Sequence, residues 1–134
     1  MKQGIPADVA DNVTDVLRTV VQEGTGTAAK PVDAQWPTAG KTGTTDGNKS
    51  AWFAGYTRQL STAIGMFRVN DQAKNQKFLE MYGTGDQESI HGASFPAEIW
   101  TEYMLSAMKA RARSSSRSRP SWARSSASRR RRRP

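Results

Sequence analysis

Gly40-Lys41-Thr42-Gly43-Thr44-Thr45, followed by Ser50-Ala51-Trp52-Phe53-Ala54-Gly55-Tyr56-Thr57, is the stretch whose reading decides the fold. Lys41 supplies a cation, and Thr42, Thr44 and Thr45 supply hydroxyls, on a segment of β-prone alternation. Gly43 carries no side chain, so another molecule can approach the backbone there. Asp46-Gly47-Asn48 is a turn signal. The aromatic run after it reads as a returning strand. Together these residues describe a hairpin with one cationic, hydroxyl-rich strand suited to meeting an anion.

Working outward, residues 38–45, 50–57 and 61–69 form three successive strand candidates with short connections, which predicts an antiparallel meander. In the second strand Trp52, Ala54 and Tyr56 share one face, and Ala51, Phe53 and Gly55 share the other. Both faces are apolar, so this strand is expected to be covered on both sides. Gly65 in the third strand predicts a close approach of another group. Upstream, Val9, Val13, Val16, Leu17, Val20 and Val21 recur at the helical period, which predicts a helix over 5–23 that uses this stripe for core packing. Pro6 suits its first turn, and Asp8 and Asp11 suit the positive end of its dipole. Gly24 ends it. Gly24-Thr25-Gly26-Thr27 lacks the Gly-Lys-Ser/Thr ending of a phosphate loop and reads as a connection. Pro31 and Pro37 mark irregular chain, with Trp36 between them as a buried anchor.

Downstream, residues 70–93 are polar and glycine-rich, and a short helix is expected around Ala73–Met81. Pro96 opens a second firm helix over 96–109, in which Ile99, Trp100, Tyr103, Met104, Ala107 and Met108 recur at helical spacing. The chain of 134 residues suffices for one small domain. Its net charge of +8 is unevenly distributed. Ten basic against twelve acidic residues leave residues 1–110 at −2, whereas residues 111–134 hold ten arginines and no acid. The pI of 10.3 therefore describes the tail. That tail, Arg111-Pro134, also holds eight serines and is expected to be disordered. It suits nonspecific polyanion binding, and an Arg-rich nucleic-acid-binding protein is the alternative reading of the whole chain. The same abrupt change also fits a frameshifted read-through. The absence of cysteine excludes disulfides and thiolate chemistry. One histidine, His91, argues against a histidine metal cluster or a Ser-His-Asp triad. No cofactor is indicated, and no run is long and apolar enough to span a membrane.

The longer string, Lys-Thr-Gly-Thr-Thr, a polar turn, Ala-Trp-Phe-Ala-Gly-Tyr-Thr and then Gln59-Leu60-Ser61-Thr62-Ala63, resembles the transpeptidase domain of bifunctional penicillin-binding proteins over residues 4–109. A β-lactamase fits the aromatic hairpin less well. The resemblance implies an α+β, partial β-lactamase/transpeptidase-like fold: a three-stranded antiparallel meander with an N-terminal and a C-terminal helix packed on it. It divides the chain into a fragment of that domain, 1–110, and the tail, 111–134. It implies a serine enzyme that acts on the D-Ala-D-Ala end of a peptidoglycan stem peptide and is trapped by β-lactams. By position, Lys41 would help catalysis and attract the substrate's terminal carboxylate. Thr42 and Thr44 would hydrogen-bond that carboxylate, and the Thr44 N–H would form half an oxyanion hole. Gly43 and Thr45 would complete the substrate-binding strand. The family's Ser-x-Asn is missing. The one Ser-x-x-Lys match, Ser106–Lys109, follows Lys-Thr-Gly, whereas the family's nucleophile precedes it. The expected product is therefore a cell-wall cross-linking domain fragment that is inactive alone. Its third strand should expose an unpaired edge. Family members work at the outer face of the cell membrane; this chain, which has no signal or anchor, is expected to be cytoplasmic if expressed as given.

Overall fold

The computed structural model describes residues 4–72, 74 and 76–117. Its centre is an antiparallel sheet in the order β1-β2-β3-β4, built from β1 (Ala39–Thr44), β2 (Ser50–Tyr56), β3 (Ser61–Val69) and the short β4 (Phe78–Leu79). The register sets Lys41 opposite Ala54 and Gly43 opposite Trp52, and continues with Trp52 opposite Gly65. The turn between β1 and β2 is closed by left-handed residues, Gly47 at φ 66° and Asn48 at φ 50°, as the Asp-Gly-Asn signal requires. The three-strand meander and both long helices are as the sequence predicts, and the fold is α+β.

One face of the sheet carries the core. Phe53 lies there, and its ring meets Trp100 edge-on at 5.1 Å. Trp100 belongs to α3 (Phe95–Arg117), with Ala97, Met104 and Met108 buried beside it. Its indole N–H donates to Thr62 O at 3.0 Å, which ties the helix to β3. Ile99 and Tyr103 are exposed, so the buried stripe of α3 is narrower than the periodicity suggests. Thr101 widens it on the other flank, donating to Ala28 O and Ala97 O. A second cluster, Ala51, Met81 and Ile90, continues the core toward the turn end of the sheet.

The other face of β2 is open, contrary to the expectation of two-sided cover. Trp52 is 45% exposed and Ala54 is exposed, while Phe67 of β3 is 53% exposed. The apolar character of both β2 faces is real, but the described chain supplies a helical layer to one of them only. Trp52 instead lies flat across Gly65, where a Cβ would sit 2.6 Å from the indole, which explains that glycine. Phe67 stacks on Phe78 of β4 at 4.8 Å.

Helix α1 (Ala7–Gln22) corrects a second expectation. Its valine stripe does not form the core: Val9, Val13 and Val16 are exposed, Leu17 and Val20 are partly buried, and only Val21 is fully buried. Val21 anchors the helix in the main core, and Thr14 Oγ1 and Tyr56 OH share a hydrogen bond of 2.9 Å that ties it to the end of β2. Pro6 is the N-cap rather than a first-turn residue. The Gly24–Thr27 connection is held by Gly26 N–H donating to Val20 O at 2.9 Å. Pro31 does not mark irregular chain; it lies in the first turn of the one-turn helix α2 (Lys30–Asp33). Trp36 is partly buried against the main core.

The helix expected over Ala73–Met81 is absent from the described part of that segment. Phe78–Leu79 instead pairs with Arg68 and Val69 as β4, and β5 (Tyr82–Thr84) turns back as β6 (Gln87–Ser89). Gly83 and Gly85, both at positive φ, punctuate this hairpin and are poor helix residues. The edge of β3 is consequently paired at Arg68 and Val69, and Ser61–Phe67 have no further strand partner among the described residues. α3 continues to Arg117, past the compositional boundary at 110. The rest of the expected disordered tail, 118–134, lies outside the described residues.

Candidate carboxylate-binding strand

Among the described residues β1 is the terminal strand of its sheet, so one of its two edges has no strand neighbour. The direction of its amides follows from one bond. Thr45 N–H donates to Ser50 O at 3.0 Å. Successive amides of an antiparallel strand alternate sides. The N–H groups of Gly43 and Lys41 therefore point into the ladder, and those of Thr42 and Thr44 point out from the open edge. Gly43 sits between them, and a Cβ there would meet only Trp52 Cβ, at 3.6 Å.

Side chains alternate about the same strand. Lys41 projects on the face that carries Trp52 and Ala54, the open one, and is exposed. Its Nζ folds back to donate to Thr42 O at 2.9 Å. Thr42 and Thr44 project on the core face. Thr42 Oγ1 shares a 2.7 Å hydrogen bond with Thr25 Oγ1 from the loop after α1. Thr44 Oγ1 accepts from Gly92 N–H at 3.2 Å, leaving its own hydrogen to donate elsewhere. Thr45 differs from its neighbours: its hydroxyl accepts from Ser50 N–H at 2.8 Å and so closes the hairpin. Lys41, Thr42, Gly43 and Thr44 thus form one accessible margin, and Thr45 belongs to the turn behind it.

Two residues that the sequence reading did not single out complete this margin. Thr25 had a faint signal, as the hydroxyl of a Gly-Thr-Gly loop. Gly92 had none beyond being a glycine in a polar stretch. A Cβ at Gly92 would meet Trp52 O and lie 2.7 Å from Gly43 N and O, so the backbone of this loop rests directly on the sheet at Gly43. Segment 81–92 is the support of β1. Met81 N–H donates to Asn48 O, Asn48 Nδ2 donates to Ile90 O, and Ile90 N–H donates to Met81 O.

Residues 1–94 match the family of the penicillin binding protein transpeptidase domain. The chain belongs to this family. It is 34% identical over 112 residues to penicillin-binding protein 1A of Mycobacterium tuberculosis, covering 80% of this chain and 12% of that protein. It is 33% identical over 93 residues to penicillin-binding protein 1B of Escherichia coli, covering 67% of this chain and 10% of that protein. Penicillin-binding protein 1A of Neisseria lactamica is 32% identical over 96 residues, 72% of this chain and 10% of its own length. The chain therefore spans about a tenth of the length of these curated relatives.

Within this transpeptidase-family chain, the serines near β1 are otherwise engaged. Ser50 is 5% exposed, and its Oγ accepts the Trp52 indole N–H at 3.1 Å. Ser94 Oγ donates to His91 O at 2.7 Å. Ser106 and Lys109 are exposed residues of α3, the helix that packs on the sheet face opposite the Lys41 side chain. Among the described residues no His/Cys/Asp/Glu group could hold a metal ion, and no helix is long and apolar enough to cross a membrane.

Proposed function

We propose that this chain carries the Lys-Thr-Gly wall of a peptidoglycan D,D-transpeptidase cleft and that, taken alone, it does not acylate. Lys41 supplies positive potential to the terminal carboxylate of a stem peptide and to β-lactams that resemble it. Thr42 and Thr44 donate hydroxyl hydrogen bonds to that carboxylate. The Thr44 N–H supplies one of two oxyanion donors, and an extended peptide lies along Gly43. The observation that carries this reading is the outward-facing Thr44 amide on an unpaired strand edge, flanked by an exposed Lys41. The open face around Trp52 and Ala54, next to Lys41, is where the wall bearing a serine nucleophile would pack. Loss of such a nucleophile lowers turnover by about 10⁶-fold, so the chain is expected to bind but not to react.

Benzylpenicillin tests both halves. Intact-mass measurement after prolonged incubation should give an unchanged mass, and an acyl adduct would refute the assigned lack of a nucleophile. Saturation-transfer NMR should show reversible contact that disappears in Lys41→Met. Equal transfer in the variant would refute the role of Lys41.

A further inference from the structure

Two threonine hydroxyls flank Gly43 on β1, and their hydrogens are set in different ways. A hydroxyl carries one hydrogen and two lone pairs. Thr44 Oγ1 accepts from Gly92 N–H, a group that can only donate, so its own hydrogen stays available to an acceptor outside the strand. Thr42 Oγ1 has two neighbours. Lys41 Nζ, at 3.4 Å, can only donate to it. Thr25 Oγ1, at 2.7 Å, can donate or accept. The direction of this one bond decides what Thr42 offers a ligand. If Thr42 donates to Thr25, its single hydrogen is committed. If Thr25 donates, both lone pairs of Thr42 are engaged and its hydrogen is free to point outward.

Thr25 is held where it can play that part. Gly24 N–H and Gly26 N–H, on either side of it, both donate to Val20 O, at 3.1 and 2.9 Å. A Cβ at Gly26 would stand 3.4 Å from the Phe53 ring, so the loop rests against the main core. The Thr25 side chain itself is exposed, and water can satisfy its remaining lone pairs. A carboxylate accepts but does not donate. With one bound at Thr42, only the order Thr25 to Thr42 to carboxylate keeps both hydrogen bonds. Bonds in such a chain polarise one another, and the last of them is charge-assisted.

We propose that Thr25 is a positioning residue of the β1 margin: its hydroxyl donates to Thr42 Oγ1 and so aims the Thr42 hydrogen at the terminal carboxylate of the ligand. Thr25 acts through Thr42 and does not touch the ligand. The inference rests on the carboxylate-binding reading of β1 and adds a residue from outside the Lys-Thr-Gly motif to it.

The test is a double-mutant cycle read by amide NMR on the labelled full chain, titrated with a short peptide ending in D-alanyl-D-alanine. Thr25→Val should weaken binding by about two- to tenfold. Thr25→Ser restores the hydroxyl and should bind within about twofold of the unaltered chain. In a Thr42→Val background, Thr25→Val should cause no further loss. The amides of α3 report folding in each variant, and Thr25→Ala replaces Thr25→Val if the latter does not fold. Unchanged affinity in Thr25→Val, or Thr25→Ser as weak as Thr25→Val, would overturn the proposal. A loss that persists in the Thr42→Val background would overturn it in favour of direct contact between Thr25 and the ligand. If the unaltered chain shows no saturable shift at Thr42 and Thr44, the carboxylate-binding reading itself fails and takes this inference with it.

Discussion

Replacing Gly92 with alanine is a demanding test of how β1 is supported. Gly92 is absent from the positive-φ residues, so alanine can adopt its backbone conformation. On that ground alone the substitution would stabilise the chain by about 0.4–1 kcal/mol, through a less flexible unfolded state. Sterics oppose it. The added Cβ would meet Trp52 O and stand 2.7 Å from Gly43 N and O. All three are backbone atoms of paired strands and cannot swing away, so the loop must lift. Overpacking of this kind costs about 1–3 kcal/mol. The lifted loop also loses the 3.2 Å bond from Gly92 N–H to Thr44 Oγ1, worth about 0.5–1.5 kcal/mol. The net expectation is a loss of about 1–3 kcal/mol. Each kcal/mol lowers the midpoint of a small domain by about 4–8 °C. Thermal unfolding followed by circular dichroism reads the shift, and faster amide exchange at Ile90 and Met81 locates it. Gly43→Ala is the matched control, because its Cβ finds only a 3.6 Å contact and should change stability by less than about 0.5 kcal/mol. An unchanged or raised midpoint for Gly92→Ala would refute the claim that segment 81–92 braces β1.

Two further outcomes follow from the packing. Trp100→Ala removes the largest fully buried side chain, its contact with Phe53 and its bond to Thr62, at a cost of about 3–5 kcal/mol, so far-UV circular dichroism should show a largely unfolded chain at 25 °C. Thr45→Val leaves the Ser50 N–H without its 2.8 Å acceptor and should cost about 1–3 kcal/mol in urea unfolding, with ligand contacts at Lys41 and Thr44 unchanged in the folded fraction.

The hairpin and the meander were legible in the sequence because their signals are local: a turn that needs positive φ, and alternating strands of known register. The same holds for α3, whose Trp100, Met104 and Met108 recur at a period that one packed face demands. The errors share a different cause. Periodicity states that the valines of α1 and the Trp52 face of β2 want cover, but not whether this chain supplies it, and Val9, Val13, Val16 and Trp52 are exposed. Residues 73–81 misled because Phe78, Leu79 and Met81 suit a short helix as well as a short strand, and only pairing with Arg68 and Val69 separates the two. Lys41, Thr42, Gly43 and Thr44 were readable as one margin from the motif alone. That the Thr45 hydroxyl accepts from Ser50 N–H across the turn is a relation the motif does not state. Gly92 and Thr25 reach β1 from 48 and 17 residues away, a relation that no local pattern encodes.

The central claim is that the edge of β1 recognises a terminal carboxylate. The most direct test is amide NMR of the labelled chain titrated with a short peptide ending in D-alanyl-D-alanine, alongside the same peptide with an amidated C-terminus. The account predicts saturable shifts at Lys41, Thr42, Gly43 and Thr44 for the free acid and none for the amide. Equal responses to the two peptides, or shifts confined to other parts of the chain, would contradict it.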